Sequence, residues 1–297
     1  MKSPNKIYLK SLILMMFFLP IGVFAQDDLM NLFGEEETVN YTSATFKTTR
    51  LALGHSIENP AKNDLIFLIS HHFGNISTGA YEFFGLDQAT IRLGLEYGIT
   101  DRLSIGYGRS SYNKTYDGFV KYKILRQSSG ARRMPISVSA LAGMSVNTLK
   151  WSNPDRENYF SSRLSYLYQV LIAKKFNKNL SLQLMPSMVH RNMVATYQDK
   201  NDIYTIGAGG RYKFTNRTSL NIEYHYVIPN QIVSYDYTNS LTVGFDIETG
   251  GHVFQLFFSN SVPINVSDFL THTTDSWADG DIYFGFNISR VFTLKKK

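Results

Sequence analysis

The sequence predicts an all-β fold, a transmembrane antiparallel β-barrel of about twelve strands, with fourteen as the alternative count, behind a cleaved signal peptide. Three observations carry this expectation. From about residue 64 onward, apolar and polar residues alternate with period two; short and long connections follow one another between the alternating runs; and after residue 25 no continuous apolar run reaches the ~18 residues that a spanning helix needs. A bundle of membrane helices is excluded, although the chain holds 21 Phe and 19 Tyr, and its mean hydropathy of −0.17 agrees with that exclusion.

At the N-terminus, Lys2, Lys6 and Lys10 precede the apolar run Leu12 to Leu19, and Val23-Phe24-Ala25 follows it. This is the layout of a secretory signal over residues 1–25, with cleavage expected after Ala25. Residues 26–63 read as a periplasmic tether ending in a lumenal or extra strand. Within it, Asp27-Asp28 can cap one short amphipathic turn over Leu29 to Phe33, stopped by Gly34, and Glu35-Glu36-Glu37 is a solvated run. The exposed apolar turn makes residues 26–43 the expected docking peptide for a periplasmic protein. The stretch 44–53 has strand character, but as a stave of the wall it would place the N-terminus outside the cell. It is therefore expected in the periplasm or folded into the lumen, and counting it leads to the fourteen-strand alternative.

The barrel itself spans residues 64–297. Strands are expected near 64–73, 89–99, 103–112, 116–126, 135–147, 162–175, 180–193, 203–214, 218–228, 240–248, 252–260 and 281–293. In the clearest of them Ile91, Leu93, Leu95, Tyr97 and Ile99 oppose Thr90, Arg92, Gly94, Glu96 and Gly98. Short turns at 100–102, 177–179, 215–217 and 249–251 face longer connections at 148–161, 194–202, 229–239 and 261–280, the asymmetry of periplasmic turns and external loops. The connection at 113–115 is the exception, external in phase but short. Twelve strands with both ends periplasmic close a single-chain barrel.

The two faces differ in composition. One carries Leu, Ile, Val, Phe and Tyr; the other mixes Gly, Ser, Thr, Asn and charges in almost every strand. A water-soluble domain would bury the first face and would seldom need charges so regularly on the second, so the apolar face is expected to meet lipid. Tyr97, Tyr107, Tyr212 and Phe214 near strand ends are girdle candidates. A soluble exported β-sandwich remains the alternative, since its strands alternate as well.

Cys is absent, which excludes disulfides, thiolate metal sites and a lipidated N-terminus. Half of the +6 charge sits in Lys295-Lys296-Lys297 and the rest is dispersed, so nucleic acid is not an expected partner of an exported chain; membrane lipid is. No cofactor or metal is expected: no phosphate-cradling glycine loop precedes a helix, and His71 and His72, adjacent on a strand, point to opposite faces. There is no Gly-x-Ser-x-Gly elbow, and His190 and His225 are the histidines to inspect for a lipid hydrolase on the barrel surface. The lumen-lining candidates are Arg92, Lys121, Lys123, Arg163, Arg191, Arg211 and Lys213 against Glu96, Glu223, Asp246 and Glu248. They form an anion-favouring interior if the lumen is open and a paired, space-filling network if it is not.

Tyr81, Phe83 and Phe84, within Gly79 to Thr90, place three aromatics in an expected external loop. This segment, with Gly108 to Lys123, Phe46 to Arg50, His55 to Lys62 and the closing Gly285 to Phe292, resembles a family of outer-membrane β-barrels, domain of unknown function 5777. The resemblance covers most of the mature chain and implies a barrel in the cell outer membrane of a Gram-negative bacterium; it implies no substrate and no site residues. The expected role is non-enzymatic: porin-like passage of small solutes, or an envelope binding or assembly platform. A surface enzyme of the lipid-hydrolase type is the alternative.

Overall fold

Residues whose side chains alternate in polarity can satisfy both faces of a strand only if one face meets an apolar medium and the other a polar one. The computed structural model, which describes residues 38–294, shows which is which. The signal, residues 26–37 of the tether and Lys295 to Lys297 lie outside the described residues. Leu93 is 49% exposed and Phe245 46%, as are Ile91, Leu95, Val120, Ile206 and Ile222 in like measure, whereas Ser104, Ser139, Thr242 and Asn287 are buried. The apolar side points outward.

The wall consists of β2 (Asp64–Asn75), β3 (Ala89–Gly98), β4 (Leu103–Ser110), β5 (Tyr116–Leu125), β7 (Ser137–Val146), β8 (Leu164–Lys175), β9 (Leu180–Arg191), β10 (Asp202–Lys213), β11 (Thr218–Val227), β12 (Ser240–Thr249), β13 (His252–Ser259) and β14 (Tyr283–Thr293). These strands form one closed antiparallel barrel in chain order, so no wall strand has a free edge in hydrocarbon. The last strand closes on the first, from Thr293 against Asp64 to Tyr283 against Asn75, with a bulge between Tyr283 and Gly285. The one wall proline, Pro186, has no N–H to give, and the pairing of β8 with β9 skips from Gln169 opposite Ser187 to Ile172 opposite Leu184.

The twelve-strand count holds, and residues 44–53 join no wall pair. Both ends of the barrel chain lie at one mouth together with the turns after β3, β8, β10 and β12, which makes that mouth periplasmic. Two three-residue strands, β1 (Val39–Tyr41) and β6 (Ser128–Gly130), pair with each other outside the wall, Val39 opposite Gly130 and Tyr41 opposite Ser128. They pin the incoming chain to the β5–β7 turn.

Beyond that pin the chain enters the lumen. Thr45, Phe46, Thr48 to Leu53 and His55 to Ile57 are all buried. Leu51 N donates to Gly54 O at 2.9 Å and Ser56 N to Thr49 O at 2.9 Å, so the segment is a hairpin with its tip at Leu51 to Gly54. From the opposite mouth the β13–β14 connection folds inward around the short helix α1 (Val266–Phe269), which Asn265 caps.

Candidate functional site

An apolar belt crosses the lumen where the two inserts meet. Phe119, Leu141, Leu167, Val189, Ile203, Val227 and Phe257 project inward from seven strands and pack with Ala52 and Leu53 of the hairpin and with Val266, Phe269 and Leu270 of the loop. A second cluster joins Phe46, Leu51 and Ile57 to Leu171, Ala173 and Met185. Space for these inserts comes from missing side chains: a Cβ on Gly106 would stand 2.2 Å from the Phe119 ring, so only glycine lets that ring lie across the wall. The belt fills this level of the lumen with apolar side chains.

Below the belt, the wall grips the hairpin by its backbone. Glu223 accepts from Ala52 N at 3.1 Å and from Gly54 N at 2.8 Å. Gln255 donates to Leu51 O at 2.8 Å, Asn287 to Ala52 O at 2.7 Å and Gln183 to His55 O at 2.8 Å. Partners on β9, β11, β13 and β14, all within one half of the wall, thus hold the hairpin at its tip. The side-chain grip is ionic: Arg50 reaches Glu96 at 3.1 Å, and Lys47 pairs with Glu248.

The residues singled out by sequence take the following places. Arg92 is buried and bonds Asp117 through Nε at 2.8 Å; Lys121 is buried and donates to Ser56 O at 3.2 Å and to Glu58 O; Lys123 lies 3.9 Å from Glu58. Arg211 donates to Ala44 O at 3.3 Å and Thr45 O at 3.2 Å, and Lys213 is half-buried at the end of β10. Arg191, near the external end, donates to Lys200 O at 3.2 Å and to the Tyr235 hydroxyl at 3.5 Å. Asp246 accepts from Ser219 at 3.2 Å and Gln255 at 2.9 Å.

Arg163 departs from the lumen-lining expectation. β8 starts only at Leu164, so Arg163 sits in the external turn before it, donating to Asn147 O at 2.8 Å with its guanidinium 3.7 Å above the Trp151 ring. Of the cations inside, Lys121 and Arg211 hold the hairpin backbone, Arg92 pairs with Asp117 of the wall and Arg191 bonds the external loops. Tyr81, at 94% exposure, and Phe83 and Phe84 stand on the external loop, with Phe83 (φ 47°) and Phe84 (φ 56°) both left-handed.

His225 is fully buried, and its Nε2 donates to Glu223 Oε1 at 2.9 Å under the hairpin. His190 lies on the outer face 2.7 Å from Asp202, and its cross-strand neighbour on β8 is Tyr166. Ser240 stands directly opposite His225, but among the described residues the histidines bond Glu223 and Asp202 and neither hydrogen-bonds a serine hydroxyl, the contact that activates a nucleophile.

Sequence reasoning did not identify the apolar belt. Its signal was present as Phe119, Leu141, Leu167, Val189 and Phe257, apolar residues in the polar phase of their strands, which call for an apolar occupant of the lumen.

The model of a family described as a membrane-bound beta barrel domain, domain of unknown function 5777, matches residues 46–292. Among solved structures, the chain is similar to the NanC porin in a rhombohedral crystal form, with 9% identity, a TM-score of 0.47, and coverage of 78% of this chain and 100% of that one. The KdgM porin gives 11% identity, a TM-score of 0.44 and coverage of 78% and 99%. An outer membrane channel from Pseudomonas putida F1 gives 14%, 0.46, and 78% and 96%. No protein of curated function matches the sequence.

Proposed function

We propose that this chain, which belongs to the membrane-bound beta barrel family of domain of unknown function 5777 and stands in the outer membrane of a Gram-negative bacterium, is a gated passage for small solutes that rests closed. One observation supports this reading above the others. The hairpin contributes no rung to the wall: it precedes β2, every strand pair of the barrel is complete without it, and only side chains tie it down. It can leave toward the periplasm while the wall stays closed. Departure would uncover Lys121 and Arg211 together with Glu96, Glu223 and Glu248, and so open a charged interior.

The test is conductance in planar bilayers. Full-length protein should be nearly silent. A variant lacking residues 39–58, shown to be folded by its heat-modifiable gel migration, should conduct steadily. A folded, plug-less barrel that remains ion-tight refutes passage.

A second reading, a binding platform, is favoured by Tyr81, Phe83 and Phe84, since left-handed backbone at two adjacent bulky residues is strain held in an exposed loop. In that case Tyr81→Ala with Phe84→Ala should abolish retention of a surface ligand and leave conductance untouched.

A further inference from the structure

Where hairpin and external loop meet, a cavity of about 20 Å³ is lined by Arg50, His55, Arg92, Asp117, Asn265 and Ser267, among others. Three of these residues carry buried nitrogens that no protein group meets: Arg50 Nε, His55 Nδ1 and Asn265 Nδ2. All three are donors. A guanidinium can only donate, so the 3.2 Å contact of Arg50 Nη1 with His55 Nε2 makes Nε2 the acceptor and leaves the imidazole proton on Nδ1. Asn265 Oδ1 is engaged by Ser267 N at 3.2 Å, which leaves only the amide hydrogens.

Charge has the same sign. Arg50, Arg92 and Lys121 face Glu96 and Asp117, and Lys121 donates to backbone carbonyls. The third nearby carboxyl, Asp268, is raised to about 7 by burial and by Asp117, so mild acid removes its negative charge. Buried charge is stable only when matched.

We propose that one small inorganic anion, of chloride size, binds in this cavity and fastens the N-terminal hairpin to the β13–β14 loop. Both oxygens of Asp117, the carboxylate of the lining, are taken by Arg92, so the unmatched side-chain atoms facing an occupant are donors, which do not hold a cation. A single water has two lone pairs for three donors, and a space only somewhat larger than the ~10–15 Å³ that one water requires has no room for sulfate or a carboxylate ligand. The anion is thus a third component of the closure, contributed by the medium. Nothing in this proposal depends on whether the barrel conducts.

The test uses full-length protein folded in detergent at pH 6 and constant ionic strength, with gluconate replaced stepwise by chloride or bromide. The thermal midpoint should rise saturably with either halide, by roughly 5 °C at saturation, as expected for a ligand that binds only the folded form. Sulfate should produce no saturable rise. Asn265→Asp keeps the helix cap and supplies a fixed carboxylate. It should raise the midpoint in gluconate and abolish the halide response. Crystals grown in bromide should show an anomalous peak among Arg50, His55 and Asn265. A midpoint indifferent to halide, an Asn265→Asp protein with the full halide response, or a bromide-free cavity holding water would each overturn the proposal.

Discussion

Glu223 is the residue on which the hairpin's seat most depends, and Glu223→Leu isolates its contribution. Its carboxylate receives Ala52 N, Gly54 N and His225 Nε2 at 3.1, 2.8 and 2.9 Å, all inside the closed lumen. Leucine has a similar reach and no acceptor. In the docked state two backbone amides then stay buried without partners, at about 1–3 kcal/mol each. The docked state loses about 2–6 kcal/mol relative to a hairpin released into water, a fall of roughly 30-fold to 10⁴-fold in the docked-to-released ratio. Single-channel recording of Glu223→Leu should show openings more frequent by at least that lower factor, and hydrogen exchange at Ala52 and Gly54 should accelerate in parallel. Glu223→Gln, which keeps one acceptor oxygen, should fall between. If the leucine variant is folded and silent with both amides as protected as in the parent, the account of how the hairpin is held is wrong.

Three further outcomes are expected. Phe245→Arg, at an outward mid-strand position, should cost about 2–4 kcal/mol in a urea titration of vesicle-inserted protein; no change would contradict its lipid exposure. Asp268, raised to about 7 by burial and the nearby Asp117, sits above its unfolded value, so the docked loop is favoured in acid. Its docking should weaken as pH climbs from about 4 to 7 and then level off; Asp268→Asn should flatten that profile of the thermal midpoint, and an unchanged slope would exonerate this carboxyl. Asp199 joins two external loops by accepting from Thr196 N, Val233 N and Ser234 N, and although burial opposes it, these bonds hold its pKa below the ordinary carboxylate range. Asp199→Ala should therefore speed protease cleavage between residues 192 and 201, and equal cleavage rates would remove it from that role.

The wall was readable because a strand's two faces are written in adjacent residues. Ile91 to Gly98 declares its period within eight positions, and the register of the next strand follows from a short turn. The lumen's contents were not readable in that way. Gly54 and Glu223 are separated by 169 positions, and Ala52 and Asn287 by 235, with no periodic signal linking them. Local pattern gave 44–53 its extended character but could not choose between wall and interior; that choice depends on inward Phe119, Leu141 and Leu167 needing apolar company. Arg163 shows the opposite failure. Its phase fits a lumen position, yet it stacks on Trp151 and bonds two carbonyls of the β7–β8 connection, and the strand starts only after it, at Leu164.

The wall's hydrogen bonds to the hairpin go largely to main-chain atoms: Ala44 O, Thr45 O, Leu51 O, Ala52 N and O, Gly54 N, His55 O and Ser56 O all receive or give such bonds. Recognition of this kind reads the course of a ribbon and is largely indifferent to the letters printed on it. Exchange of a hairpin side chain leaves these bonds in place, so long as the ribbon still bends at the same point; the exceptions are Phe46, Lys47, Arg50, Leu51, Leu53 and Ile57, whose side chains pack on or pair with the staves. Glu223, Gln255, Asn287 and Gln183 have no such latitude, since each is itself the group that holds the ribbon.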